Sequence, residues 1–302
     1  MEVENGKSKA SKTKFPGKME LYFPVIRDEL DYLISALINL LDRQFPKELA
    51  SIHGLNEFLL SAMYTAENTF KAIRYLGADV PKDPSRKLEF GLAISPLGRM
   101  LVDILFSIIF MREDLGPRVD LFHRGGWREL REYYERYRSV YGGLPEWQHW
   151  LNEFKAYLDV QQKTFGISQD ESSNLKQIPY WPIPGKMIKQ STKNREFLKF
   201  LNDWIYKELS ADAHMSAAGI MRHYGPLLLS KNQGRKEFLV KLKSNSIFTA
   251  TTLMVAICTE VNDMCGYSRE AKLSYIWGII VEYWEEAKDI FERRYRVMLT
   301  NK

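Results

Sequence analysis

Tyr206, Ser210 and His214 stand four residues apart in the stretch running from Trp204 to Ser216. On a helix that spacing puts a phenol, a hydroxyl and an imidazole on one face. The residues around them are small (Ala211, Ala213, Ala217, Ala218, Gly219), so another helix can come close. Such a row can hold a polar ligand, or it can form a buried network satisfied by neighbouring helices. A second pair, Arg99 and Asp103, lies four apart inside the apolar run Met100–Phe106. Charges in such a run are partly buried, and are either paired with each other or functional. Asp103 can orient His214 and bias its tautomer.

Other constellations are weaker. Arg118 and His123 combine a cation for phosphoryl charge with an acid–base group, but the pair falls where a turn between helices is expected. Glu146 and His149 form a single Glu-x-x-His. Two copies and two further glutamates would be needed for a di-metal bundle site, so no metal is expected. The chain has no GxxxxGK[ST], HExxH, GxSxG, GxGxxG or CxxC motif, and no cofactor is expected.

These residues must be positioned by helices. Apolar residues Ile26, Leu30, Leu33, Leu37, Ile38 and Leu41 recur at three- and four-residue steps and predict a helix over Pro24–Phe45. A second is predicted over Lys47–Leu76, and a third over Arg86–Arg112 with a kink or break at Pro96 and Gly98. A Gly125–Gly126 turn should lead into Trp127–Tyr141, followed by Leu144–Phe165. Further helices are predicted over Arg195–Ser210 and on through His214 to His223, then over Arg235–Cys265 and Ser268–Thr300. Residues 166–194, with Pro179-Tyr-Trp-Pro-Ile-Pro-Gly185, read as a long ordered loop, a length often linked to function. The expected architecture is a single all-α bundle of about seven or eight helices over 21–302, preceded by a disordered basic tail over 1–20.

The 302 residues are 45% hydrophobic and 27% charged, which excludes a disordered chain, a collagen or a disulfide-stapled miniprotein. Two cysteines, Cys258 and Cys265, point to buried thiols and a cytoplasmic setting. Met100–Met111 and Ile247–Val261 read as core helices, so no membrane association is expected. The net charge of +5 is unevenly spread. Residues 1–18 hold five lysines and two glutamates. Lys176–Lys199 holds six basic residues and one acidic, whereas Glu260–Glu292 holds eight acidic and three basic. An anion is expected at the 176–199 segment, with binding that weakens in salt.

Gly98-Arg99-x-x-x-Asp103, the Trp181-Pro182 loop and Tyr206-x-x-Leu209-Ser210-x-x-x-His214, in that order over about residues 25–225, resemble a bacterial all-helical family of unknown function. That family is regarded as distantly similar to HEPN (higher eukaryote and prokaryote nucleotide-binding) domains, some of which act in phage defence. The resemblance implies an HEPN-like core with additional helices. It also implies a polar pocket of Arg99, Asp103, Tyr206, Ser210 and His214, with Trp181 and Lys207 nearby. HEPN ribonucleases use an Arg-x4–6-His pair. No arginine precedes His214 at that spacing; Lys207 does, and it lacks the planar fork of arginine. Two functions therefore remain open. One is a ligand-binding or scaffolding module. The other is a nucleotide- or RNA-binding protein or ribonuclease of phage defence or stress, with His214 and Arg99 as its catalytic residues. A homodimer is compatible with both.

Overall fold

The computed structural model describes residues 19–79, 91–214, 216–217, 219–221 and 232–300. The tail through Lys18 and the expected helix end at His223 lie outside them. Every regular element among the described residues is helical, as the periodicity requires.

The helices are α1 (Met19–Arg43), α2 (Lys47–Ala50), α3 (Leu55–Arg74), α4 (Gly91–Arg112), α5 (Leu115–Tyr141), α6 (Pro145–Thr164), α7 (Gln169–Ser173), α8 (Pro184–Gln190), α9 (Arg195–Leu201), α10 (Lys207–Ala213), α11 (Asn232–Cys265), α12 (Glu270–Tyr283), α13 (Glu285–Ile290) and α14 (Arg296–Thr300). One-turn π segments at Tyr75–Asp79, Asn202–Tyr206 and Phe291–Tyr295 extend α3, join α9 to α10 and join α13 to α14. This exceeds seven or eight, because short helices that periodicity does not separate lie between the long ones.

Several boundaries differ from expectation. The predicted single helix Ser268–Thr300 is α12 and α13, broken at Trp284 in an extended conformation, with α14 beyond a π turn. Helix α1 begins at Met19 and runs through Pro24. The expected Lys47–Leu76 helix is two, split at Gly54, whose φ of +83° suits glycine. Helix α4 continues through Pro96 and Gly98. The Gly125–Gly126 turn does not exist, because α5 passes straight through it. A Cβ on Gly125 would lie 2.6 Å from the backbone nitrogen of Trp181, so that glycine lets the 166–194 segment cross the helix closely. This segment is not all loop, since it carries α7, a 3₁₀ turn at Leu175–Gln177 and α8.

Helix α4 is the hub, packing against α3, α5, α8, α10 and α11. Leu101, Val102, Leu105, Phe106, Ile108, Ile109, Phe110 and Met111 are all buried, as an almost wholly apolar helix requires. Residues Ala93–Arg112 are long and apolar enough to cross a membrane, but in this fold most of that stretch is buried inside the bundle. Helix α11 lies along α4 and buries the run Thr249–Asn262. Its threonines are accommodated because Thr251 and Thr259 donate to the carbonyls of Ile247 and Val255, four residues back. A second, smaller core of Trp127, Tyr134, Leu151, Leu158, Ile167 and Ile178 holds the α5–α6 hairpin together.

Both cysteines are free and buried. Burial pushes the Cys265 thiol up to about 12 and the Cys258 thiol higher still. Neither should react with a thiol reagent at pH 8 while the protein is folded, and two equivalents should react in guanidinium. Fast labelling of the native protein would contradict the buried α11 core.

Candidate functional site

The site forms where α10 lies against the N-terminal half of α4. Gly98 faces Leu209 here, and a Cβ at this position would make only ordinary van der Waals contact with the two terminal methyls at 3.5 Å, so the approach does not depend on glycine. The contact is fixed on one side by Ser95, whose hydroxyl donates to the buried Asp212 carboxylate at 2.5 Å. On the other side Arg99 Nε donates to Asp103 Oδ2 at 2.8 Å, and Nη2 donates to the Tyr206 hydroxyl. The guanidinium also lies over the Tyr206 ring, with Cζ 3.8 Å from its centroid. That contact adds about 1–2 kcal/mol where it is shielded from water. Phe106 packs on the same tyrosine at 5.4 Å.

The cluster is closed at one end and open at the other. The Arg99 side chain is 15% exposed and that of Asp103 43%. Arg99 Nη1 is buried and has no acceptor among the described residues. Burial raises the Asp103 carboxyl above its usual value, opposed by the hydrogen bond and charge of Arg99 and by the charge of His214. Burial likewise raises the Tyr206 phenol, helped by the charge of Asp103. Tyr206 therefore stays protonated at neutral pH and can pass a hydrogen bond onward.

The structure brings Arg99, Asp103 and Tyr206 into direct contact and sets His214 within electrostatic reach of Asp103. Tyr206, Ser210 and His214 keep their helical spacing, because the chain is helical from Tyr206 (φ −59°, ψ −47°) to Ala213 and the His214 N–H bonds the Ser210 carbonyl at 3.1 Å. Tyr206 ends a π turn, and His214 is the residue after α10, with φ −92° and ψ 8°. His214 is exposed and Ser210 half-buried. Trp181 is placed elsewhere: it packs edge-on against Phe110 and Phe122, wedged between α4 and α5. Lys207 faces solvent and pairs with Asp203 at 2.6 Å. Neither joins the pocket.

The Arg118–His123 pair lies within α5, not in a turn, and both partners are engaged. Arg118 donates to the Phe110 carbonyl and to Glu113, and stacks over the Phe110 ring. His123 Nε2 lies 2.9 Å from the Gly54 carbonyl oxygen, and its ring stacks on Phe165. A cleft of about 390 Å³ opens beside His123, but Arg118 does not line it. His149 is exposed and faces Glu153, and no metal-binding group of three or more ligands occurs among the described residues.

Three buried acids were not singled out from the sequence: Asp212, already described, and two more. Glu260, fully buried, accepts from Arg294 Nε and Nη2 and from Arg112 Nη1. Arg112 also bonds Asp263. Glu113, 2% exposed, accepts from Ser191 Oγ, from the backbone N–H groups of Thr192 and Asn194, and from Arg118. The signal was available for Glu260, which lies in an apolar run just as Asp103 does.

Comparison with known proteins finds no matching family model, no matching curated protein and no matching solved structure.

Proposed function

We propose that the protein is a non-enzymatic binding module whose ligand enters the open end of the Arg99–Asp103–Tyr206 cluster. The observation that carries this reading is Arg99 Nη1, a buried cationic donor without an acceptor among the described residues. Such a group costs stability unless something supplies the missing bond, and hydrogen bonds to charged groups are worth about 1.5–3 kcal/mol. A ligand bringing a carboxylate or phosphoryl oxygen to Nη1 would make it, with Ser210 and His214 available on the face they share with Tyr206. Asp103 and Tyr206 hold the guanidinium in place, which lowers the cost of ordering it on binding.

A second reading is an HEPN-like nucleotide- or RNA-acting protein. It is favoured by the meeting of the Arg99–Asp103 helix with the Tyr206–His214 segment. Against catalysis, Nε and Nη2 of Arg99 are already engaged, and no second arginine stands beside His214 among the described residues. The two readings separate in one experiment: incubation with RNA, and melting curves with AMP, for the wild type and His214→Ala. The binding reading predicts identical background cleavage by both proteins and an AMP-dependent rise in Tm that shrinks in the variant. Cleavage above background that His214→Ala abolishes would replace it with the enzymatic reading.

A further inference from the structure

The link Ser191–Asn194 between α8 and α9 is pinned from beneath. Glu113 takes its hydroxyl and two of its N–H groups. Asn194 Oδ1 accepts from Arg294 at 2.7 Å, and Arg195 folds back onto the carbonyls of Ser191 and Lys189 at 3.0 and 2.9 Å. Met187, Phe197, Leu198 and Leu201 are buried on the inner side. The outer side carries Lys186, Lys189, Lys193, Arg195 and Lys199, all exposed, against one acid, Glu196. Lys186, Lys189 and Lys193 make no ion pair among the described residues. Helix α5 is the contrast: Arg124, Arg128, Arg131 and Arg138 each sit against a carboxylate.

We propose that this α8–α9 face binds the phosphodiester backbone of a nucleic acid without reading base sequence. Unneutralised lysines held on a rigid support attract a line of phosphates and release its counterions, with little ordering cost on the protein side. A membrane surface fits less well. No large apolar side chain of α8 is exposed; only Ile183 stands out, just before its start, where a membrane-surface helix would show an apolar stripe. The face shares no residue with the Arg99 cluster, so either assignment can fail alone.

The test is fluorescence anisotropy of a labelled 20-nucleotide uridine RNA with the full-length chain between 50 and 300 mM KCl. The wild type is compared with Lys186→Glu/Lys189→Glu/Lys193→Glu and with the control Lys155→Glu/Lys163→Glu on α6. The five lysines of residues 1–18 are present in all three. The wild type should bind with a log–log salt slope of about −2 to −4, at about 0.7 per phosphate contact on a single strand. The triple reversal should weaken binding at least tenfold and reduce the slope by about 2, while the control changes less than twofold. If circular dichroism shows the triple reversal misfolded, Lys186→Gln/Lys189→Gln gives the same readout, with a smaller loss of about threefold or more. Absence of wild-type binding at 50 mM KCl, equal losses in control and triple variant, or unchanged binding in the triple variant would each overturn the proposal. So would lysine-dependent sedimentation with phosphatidylserine vesicles by a protein that does not bind RNA.

Discussion

Glu260→Ala should lower the stability of the folded protein by about 3–5 kcal/mol in denaturant titrations, the cost typical of removing one partner from a buried ion pair. The Glu260 carboxylate is fully buried and takes three hydrogen bonds from two arginines. Without it Arg294, 13% exposed, keeps only Asn194 as a hydrogen-bond acceptor among the described residues, whereas Arg112 keeps Asp263. Burial works to lower the Arg294 pKa, but Glu260 more than reverses this and holds it raised. The damage would spread, because Arg294 precedes Tyr295, which is fully buried and stacked on Trp277 at 5.1 Å. Glu260→Gln keeps one acceptor oxygen and the volume, and should lose less. A loss below about 1 kcal/mol in Glu260→Ala would show that the arginines find other partners.

The second large effect is at Glu113, and it carries a pH signature. Burial acts to raise this carboxyl, but hydrogen bonds from Ser191, Asn194 and Thr192 and the charge of Arg118 outweigh it, so its folded pKa is lowered. An unfolded glutamate titrates at about 4.3. The ionised carboxylate therefore contributes stability that is fully present above about pH 4.3 and disappears as pH falls through the lower folded value. Glu113→Ala should cost about 3–5 kcal/mol at pH 7. Unfolding free energies of the wild type and Glu113→Gln, measured from pH 7 to pH 2, should converge at the acidic end. Parallel curves would mean that the carboxylate charge is not what pins Ser191–Asn194. The same substitution should weaken RNA binding, because the lysine face loses its support.

How far the sequence revealed this arrangement depended on the distance between partners. The all-α class and most long helices were legible, because apolar spacing is a local property. Arg99 and Asp103 were found as an i, i+4 pair in an apolar run, and Tyr206 was found from its own segment. Tyr206, Ser210 and His214 keep their four-residue spacing along α10, but no local pattern announced the π turn Asn202–Tyr206 that precedes it. Gly125 was misread because glycine marks a turn and a close crossing equally well. Trp181 was assigned to the pocket from its place in a motif, whereas its partners Phe110 and Phe122 lie on two other helices. Glu113 and Glu260 escaped because their partners are remote: Asn194 is 81 residues from Glu113, and Arg112 is 148 from Glu260. Spacing along a chain shows which residues can share a face, but not which faces meet.

The proposed acceptor for Arg99 Nη1, which has none among the described residues, is a ligand oxygen. The most direct test of this assignment is NMR observation of the Arg99 guanidinium Nη–H signals during titration with AMP, assigned by their loss in Arg99→Lys. These signals should shift saturably and exchange more slowly with water as the new hydrogen bond forms. Arg99 signals that stay in place at millimolar AMP, whether or not signals elsewhere move, would contradict the assignment and leave the cluster as a clamp between α4 and α10.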